Sequence, residues 1–374
     1  PWQKESPGTR SGIGAVLESG RLLVSAELLA DHSYVELDRP GSGEKQPAKV
    51  LAADYSANLA LLEPTDPGIL DGLGAFELID AAAVGERFEA WQLEPNGSIL
   101  KTDALLTSVQ VLPYPREDIA LLLYQLTSAL QSRDGSFTIP LVRDGRLAGV
   151  VMRYNARSQN MAAVPVEVIR HFLSDFADGG YAGFPKAGLG FTPTRDPQLR
   201  KFAGLDPGQG GVYINLVQPG RPAAAAGIAE GDILLAVDGR EIDQDGNYQS
   251  EHYGKLSLAN LISTGAQAGE EVEFELLRDG ERMVKPVVVE PRPAADYVSP
   301  PYIVGEPPVF YIAGGLIFQE LSRQYLKEWG KSWQKRANSK LVYYDRYQST
   351  LFDEPGRKIV FLSQVLPTAA TLGY

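Results

Sequence analysis

The sequence predicts a mainly β protein: a large region of short strands, then a smaller β module, then a partial copy of that module. Three observations carry this prediction. Short apolar runs alternate with glycine-containing turns from about residue 8 to 165. A single helical segment at 165–176 ends that pattern. Residues 188–202 match 315–329 at a constant offset of 127. Many short strands at close spacing indicate a barrel or sandwich, and internal self-similarity indicates a duplicated module.

Taken in order, the strand candidates are 12–26 (GIGAVLESGRLLVSA), 34–37 (YVEL), 48–54 (AKVLAAD), 58–63 (NLALLE), 87–94 (RFEAWQLE), 99–112 (ILKTDALLTSVQVL), 119–126 (IALLLYQL) and 139–152 (IPLVRDGRLAGVVM). Each is apolar and bounded by turn residues. The segment PVEVIRHFLSDF at 165–176 starts on proline and has apolar residues at helical spacing, and Gly179 and Gly180 stop it. From 186 the pattern becomes KAGLGFTPT, then a long run at 211–242, a helical LSLANLISTG at 256–265 and a strand-like EVEFELLRDGERM at 271–283. The proline-rich 291–308 is expected to be a linker. Beyond it, 359–374 (IVFLSQVLPTAATLGY) resembles 212–228 (VYINLVQPGRPAAAAGI), but the first copy continues with AEGDILLAVDG where the second stops. The expected boundaries are 1–178, 179–292, 293–308 for the linker, and 309–374.

Composition bounds the function. With 44% hydrophobic and 22% charged residues, the chain has the make-up of a globular protein. The net charge of −12 and scattered Lys and Arg, gathered only in 327–336 (KEWGKSWQKR), argue against a nucleic-acid partner. No apolar run approaches the roughly 20 residues that span a bilayer, so no membrane span is expected. Cysteine is absent, which excludes disulfides, thiolate metal sites and a Cys nucleophile. The three histidines, His32, His171 and His252, are too few and too separated for a His-rich metal centre, and no cofactor is expected. The chain begins at Pro1 rather than Met, so a removed N-terminal segment is expected. With the missing cysteines, this points to a periplasmic or otherwise exported bacterial protein.

The motifs now carry a resemblance. The order of pieces, and above all 181–191 (YAGFPKAGLGF), 196–205 (DPQLRKFAGL) and the 363–374 run SQVL…LGY, resemble the Deg/HtrA family of trypsin-fold serine proteases, most nearly the plant type. The resemblance implies a trypsin-like double β-barrel, a PDZ domain and a partial, degenerate PDZ-like domain. In that family a Ser-His-Asp triad hydrolyses peptide bonds, the imidazole taking the serine proton and the carboxylate orienting the imidazole. The matching positions here hold Glu27 in 24–28 (VSAEL), Asn58 in 58–62 (NLALL) and Phe137 in 135–140 (GSFTIP). Thr138 and Ile139 replace the two glycines after the serine. These departures imply a pseudoprotease that is not an enzyme, acting as a binding or scaffolding module. The alternative is a serine endopeptidase with a relocated site, for which Ser136 is the hydroxyl in that turn and Glu27 the nearest base.

By the same resemblance, Leu189, Gly190 and Phe191 of the GLGF run supply amides to a peptide carboxylate, and Leu258, Leu261 and Ile262 line the groove. Protein or peptide C-termini are the expected partners, and the resemblance implies a homo-oligomer, trimer-based in the family manner. Pro193 weakens the expected capture, because position 193 faces the peptide if Phe191 does and proline has no N–H. In the second copy Ile317 replaces Gly190, and a β-branched residue is expected to fit the loop's backbone angles poorly.

Overall fold

A computed structural model describes residues 8–371, except 40, 95, 115–118, 132–137 and 353–355. Two compact units divide at residue 291, one of residues 9–291 and the other of residues 292–374.

The first unit opens with β1 (Ala15–Val16), β2 (Leu22–Val24), β3 (Glu36–Arg39), β4 (Glu44–Asp54) and β5 (Leu59–Pro64), in the antiparallel order β1-β2-β5-β4-β3. β5 is the central strand and is apolar almost throughout, as a strand covered on both faces must be. A closed antiparallel barrel follows: β6 (Arg87–Leu93), β7 (Ile99–Pro113), β8 (Ala120–Ser128), β9 (Ile139–Arg143), β10 (Arg146–Asn155) and β11 (Asn160–Pro165), in the ring order β10-β11-β8-β7-β6-β9. Pairing of β6 with β9 closes the ring and removes both free edges. Phe88, Leu106, Leu121, Leu123, Leu141 and Leu147 fill it. Helix α1 (Val166–Ala177) then buries Val166, Val168, Ile169 and Phe172 while Arg170 stays at the surface, which is the periodicity the sequence displayed.

The smaller module holds β12 (Leu189–Pro193), α2 (Pro197–Phe202), β13 (Val212–Val217), α3 (Pro222–Ala225), β14 (Ile233–Val237), β15 (Arg240–Glu241), β16 (Asn247–Ser250), β17 (Gly254–Ser257), α4 (Ala259–Ser263), β18 (Glu271–Arg278) and β19 (Glu281–Val288). Its sheet runs β12-β13-β14-β18-β19, with β15 on β14 and β16–β17 as a separate hairpin. This module packs on the barrel. His171 of α1 stacks on Phe184 with ring centroids 4.3 Å apart, and the Ser263 hydroxyl of α4 donates to the Ala120 carbonyl of β8 at 3.3 Å.

In the second unit, β20 (Phe310–Ala313), β21 (Leu316–Glu320) and β22 (Val360–Val365) form a three-stranded sheet in that order. Helices α5 (Arg323–Lys327), α6 (Trp333–Arg336) and α7 (Ser339–Leu351) lie between β21 and β22 and enclose a core of Leu321, Leu326, Trp333 and Ala337. Among the described residues no helix is long and apolar enough to cross a membrane.

Candidate functional site

The first candidate site lies where β2 ends. The chain turns through a 3₁₀ segment, Ala26–Leu29, which puts Glu27 at an exposed position. Asn58 sits in the turn before β5 with a left-handed φ of 57°, a conformation that asparagine tolerates better than most residues. Its buried Oδ1 accepts the Ser25 hydroxyl at 2.8 Å and the Glu27 backbone N–H at 3.0 Å. That oxygen is thus already bonded twice, and the other side-chain atom of an amide is a donor. Asn58 therefore ties down the turn from beneath but offers no second acceptor to orient an imidazole.

Thr138 approaches from the barrel, its Oγ1 accepting the Ser25 N–H at 2.7 Å. Its φ is 57°, a left-handed angle that threonine rarely adopts. Ser136 and Phe137 lie outside the described residues. The structure thus brings Glu27, Asn58 and Thr138 together around Ser25, a residue that the sequence reading did not single out.

The second candidate site is the β12 edge. Among the described residues β12 pairs with β13 alone. Its register sets Phe191 opposite Ile214, Thr192 opposite Tyr213 and Pro193 opposite Val212. The Ile214 N–H donates to Asp232 O and its carbonyl accepts from Gly231 N, so the Ile214 backbone turns toward β14. Alternation along an antiparallel ladder then turns Thr192 toward β13, and Phe191 and Pro193 toward the open edge. One donor is therefore absent from that edge. Leu189 and Phe191 pack against the core that contains Leu258, Leu261 and Ile262, and these three are themselves buried, with α4 lying against β8.

The residue that needs glycine is Gly188, not Gly190. Gly188 has φ +76°, and a Cβ there would come within 2.3 Å of the Arg221 side chain. Gly190 has no such angle, and its added Cβ would meet Asn215 and Leu216 at 3.3 Å. The argument that Ile317 is misfitted in the second copy is corrected accordingly, since the residue matching Gly188 is Gly315, with φ +89°. Arg221 was missed in the sequence. It is buried behind this loop and donates to the carbonyls of Glu290 and Pro291 at 3.3 and 3.0 Å.

The second copy repeats this edge closely. Leu316 faces Val365 and Phe318 faces Leu362, with a bulge between Ile317 and Phe318 that matches the one between Gly190 and Phe191. Leu366 N donates to Gly315 O at 2.7 Å as Gln218 N donates to Gly188 O at 2.9 Å. One difference decides its use. The outer edge of β21 is taken by β20 of the same chain, Tyr311 facing Phe318 and Phe310 facing Gln319.

Sequence comparison fits this duplication. The PDZ-domain family matches residues 185–285 and again 299–374. The chain is 27% identical over 380 residues to "Protease Do-like 2, chloroplastic" of Arabidopsis thaliana, covering 100% of this chain and 60% of that protein. It is 25% identical over 329 residues to "Protease Do-like 4, mitochondrial" of the same plant, covering 87% and 62%. The chain thus spans about 60% of the length of these relatives. Among solved structures it resembles "HtrA-type protease AlgW with tripeptide", with TM-score 0.58, 19% identity and coverage of 75% of this chain and 89% of that one. A serine endoprotease from Yersinia pestis gives TM-score 0.51 at 17% identity, covering 76% and 91%. At such identities these last two show a shared fold.

Two expectations are overturned by these relatives. The inference from Glu27, Asn58 and Phe137 that the chain is not an enzyme conflicts with a family whose members, matched along the whole chain, are named proteases. The expected exported bacterial location conflicts with relatives named chloroplastic and mitochondrial. Duplicated PDZ-type register, a barrel of HtrA-type fold and Do-like relatives along its full length support a Deg/HtrA-family protein.

Proposed function

We propose that this chain is a polypeptide-binding Deg/HtrA-family protein that takes C-terminal carboxylates on the β12 edge of its first PDZ domain. The single observation that carries this reading is the outer β12 edge, unpaired among the described residues, with the glycine-angled loop at Gly188 leading into it. Consecutive amides in such a loop hold an anion, and the edge accepts the peptide as an added strand. Leu189, Gly190 and Phe191 would supply the amides, and Leu258, Leu261 and Ile262 the apolar wall. Pro193 keeps the capture weak, with Kd on the order of tens of micromolar or poorer. Assembly into a homo-oligomer, trimer-based as the family resemblance implies, belongs to the same reading, as does a plastid or mitochondrial setting drawn from the relatives' names. Titration with a C-terminal peptide library tests it. Free-acid peptides should bind weakly and their C-terminal amides should not; sub-micromolar binding, or equal binding by the amides, would sink the proposal.

The names of the relatives favour a second reading, a serine endopeptidase whose nucleophile has moved. In it the Ser136 hydroxyl attacks the peptide carbonyl while the Glu27 carboxylate takes its proton, because Asn58 already spends its acceptor on Ser25 and Glu27. A fluorophosphonate label on Ser136, lost in both Ser136→Ala and Glu27→Gln and accompanied by turnover of an unfolded protein, would support it. Turnover that survives both substitutions would refute this assignment of roles.

A further inference from the structure

The two PDZ-type modules correspond strand by strand. Phe191 faces Ile214 in the first and Phe318 faces Leu362 in the second, so β22 matches β13, Leu362 matches Ile214 and Val360 matches Val212. In the first module β13 is an inner strand, with Val212 opposite Leu234 and Tyr213 opposite Ile233 of β14. Val212 and Ile214 are 0% exposed there. In the second module, among the described residues, β22 pairs with β21 alone. Val360 is 62% and Leu362 48% exposed. Two apolar positions that the fold buries once are bare the second time.

The ladder shows which backbone groups are free. Leu321 N donates to Ile359 O at 2.8 Å, so Ile359 turns toward β21, and alternation turns Phe361 the same way. Val360 and Leu362 therefore aim their N–H and C=O groups at the open edge, as Ile214 aims its own at Asp232 and Gly231 in the first module. Ile359 and Phe361 pack on the core of Leu321, Leu326 and Trp333, which leaves Val360 and Leu362 on the opposite face with Phe318 and Tyr311. Outermost strands elsewhere carry charges or proline: Glu36, Asp38 and Arg39 in β3, Pro193 in β12, Lys285 and Pro286 in β19. Such residues keep an edge from pairing with another chain. The Val-Phe-Leu-Ser run that opens β22 has none of them.

We propose that β22 pairs antiparallel with β22 of another molecule of this same chain, about a two-fold axis at Phe361. In that register Val360 stands opposite the partner's Leu362 and Leu362 opposite the partner's Val360. Each of these residues already aims its N–H and C=O across the join, so the strand is its own complement, as a two-fold interface requires. The apolar side chains of both strands meet on one face beside Phe318, and no charge is set opposite a like charge. This contact does not rest on peptide capture at β12, and it doubles whatever assembly the rest of the chain makes.

Sedimentation velocity of the purified chain over a concentration series tests it. Particle mass should double as concentration rises. In Val360→Lys/Leu362→Lys, which sets like charges opposite one another, the doubling should move at least about tenfold upward in concentration. Leu362→Pro removes an outward N–H alone, so it should weaken the association while leaving the thermal melt unchanged. The chain has no cysteine, so the register can be read chemically even if the lysine variant unfolds. Val360→Cys and Leu362→Cys chains, mixed and oxidised, should give a mixed disulfide dimer, and either variant alone much less. A mass that stays constant up to about 100 µM, or doubling that persists unchanged in a folded lysine variant, would overturn the proposal. So would cross-linking of either cysteine variant alone to the extent seen in the mixture.

Discussion

Asn58 shows how one atom can hold a turn. Its Oδ1 receives two donors, the Ser25 hydroxyl and the Glu27 N–H, in a region where water does not replace them easily. Removing that oxygen leaves both donors short of a partner, at roughly 1–3 kcal/mol per buried group. Alanine also tolerates the left-handed φ less well than asparagine. Asn58→Ala is therefore expected to destabilise the chain by about 2–4 kcal/mol. Asn58→Asp keeps an acceptor in place and should cost less than half as much. Urea denaturation of the two variants checks this, and equal losses would show that the amide nitrogen or the neutral charge of the side chain, rather than its acceptor oxygen, matters. Much of this site was visible in the sequence, since Glu27 and Asn58 stood inside recognisable flanks. Ser25 and Thr138 were not assigned their roles, because a hydroxyl becomes a link only when folding brings residues 113 positions apart within 2.7 Å.

At the scale of elements, strand order was legible because apolar runs and turn residues repeat, while backbone angles were not. The four residues GLGF do not say which glycine is strained. Contact with Arg221 decides it, and that residue lies 33 positions away in sequence. Gly188→Ala meets both a left-handed φ and a 2.3 Å approach to the Arg221 side chain, so a cost of about 2–4 kcal/mol is expected. Gly190→Ala meets only 3.3 Å contacts and should cost less than about 1 kcal/mol. Comparable losses in thermal unfolding would show that the loop was misread. On the same strand, Pro193→Val should tighten free-acid peptides several-fold, since it restores one N–H worth about 0.5–1.5 kcal/mol to the open edge. No gain in a binding titration would place the peptide elsewhere. The strand β20 escaped sequence reading altogether, because 310–313 (FYIA) follows a proline-rich stretch and was counted with the module rather than as a strand laid along its edge.

In the unit of residues 9–291, the barrel and its first PDZ domain are held together by groups that titrate. Glu167, in the first turn of α1, accepts the buried Tyr124 hydroxyl at 3.0 Å and also the hydroxyl of Tyr253, which lies between β16 and β17. Burial pushes both phenols well above their ordinary range, with the Glu167 charge adding to it, so they stay protonated donors at any physiological pH. His171 behaves differently. It is buried against Phe184 with Nε2 unpartnered among the described residues, and burial lowers its pKa, although the Thr264 carbonyl, Asp175 and Glu270 pull the other way. The folded unit thus prefers the neutral ring, and the unfolded chain takes up its proton at a higher pH than the folded one does. Stability from this group is complete above about pH 6.5 and is lost as pH falls below that value toward the folded pKa. His171→Phe keeps a ring against Phe184 and cannot titrate. Between about pH 7.5 and about pH 5.5 the melting temperature of the wild type should therefore fall further than that of the variant, the carboxylates contributing alike to both. Parallel pH profiles would show that His171 is solvated in the folded unit and that the joint between barrel and PDZ domain is not buried there.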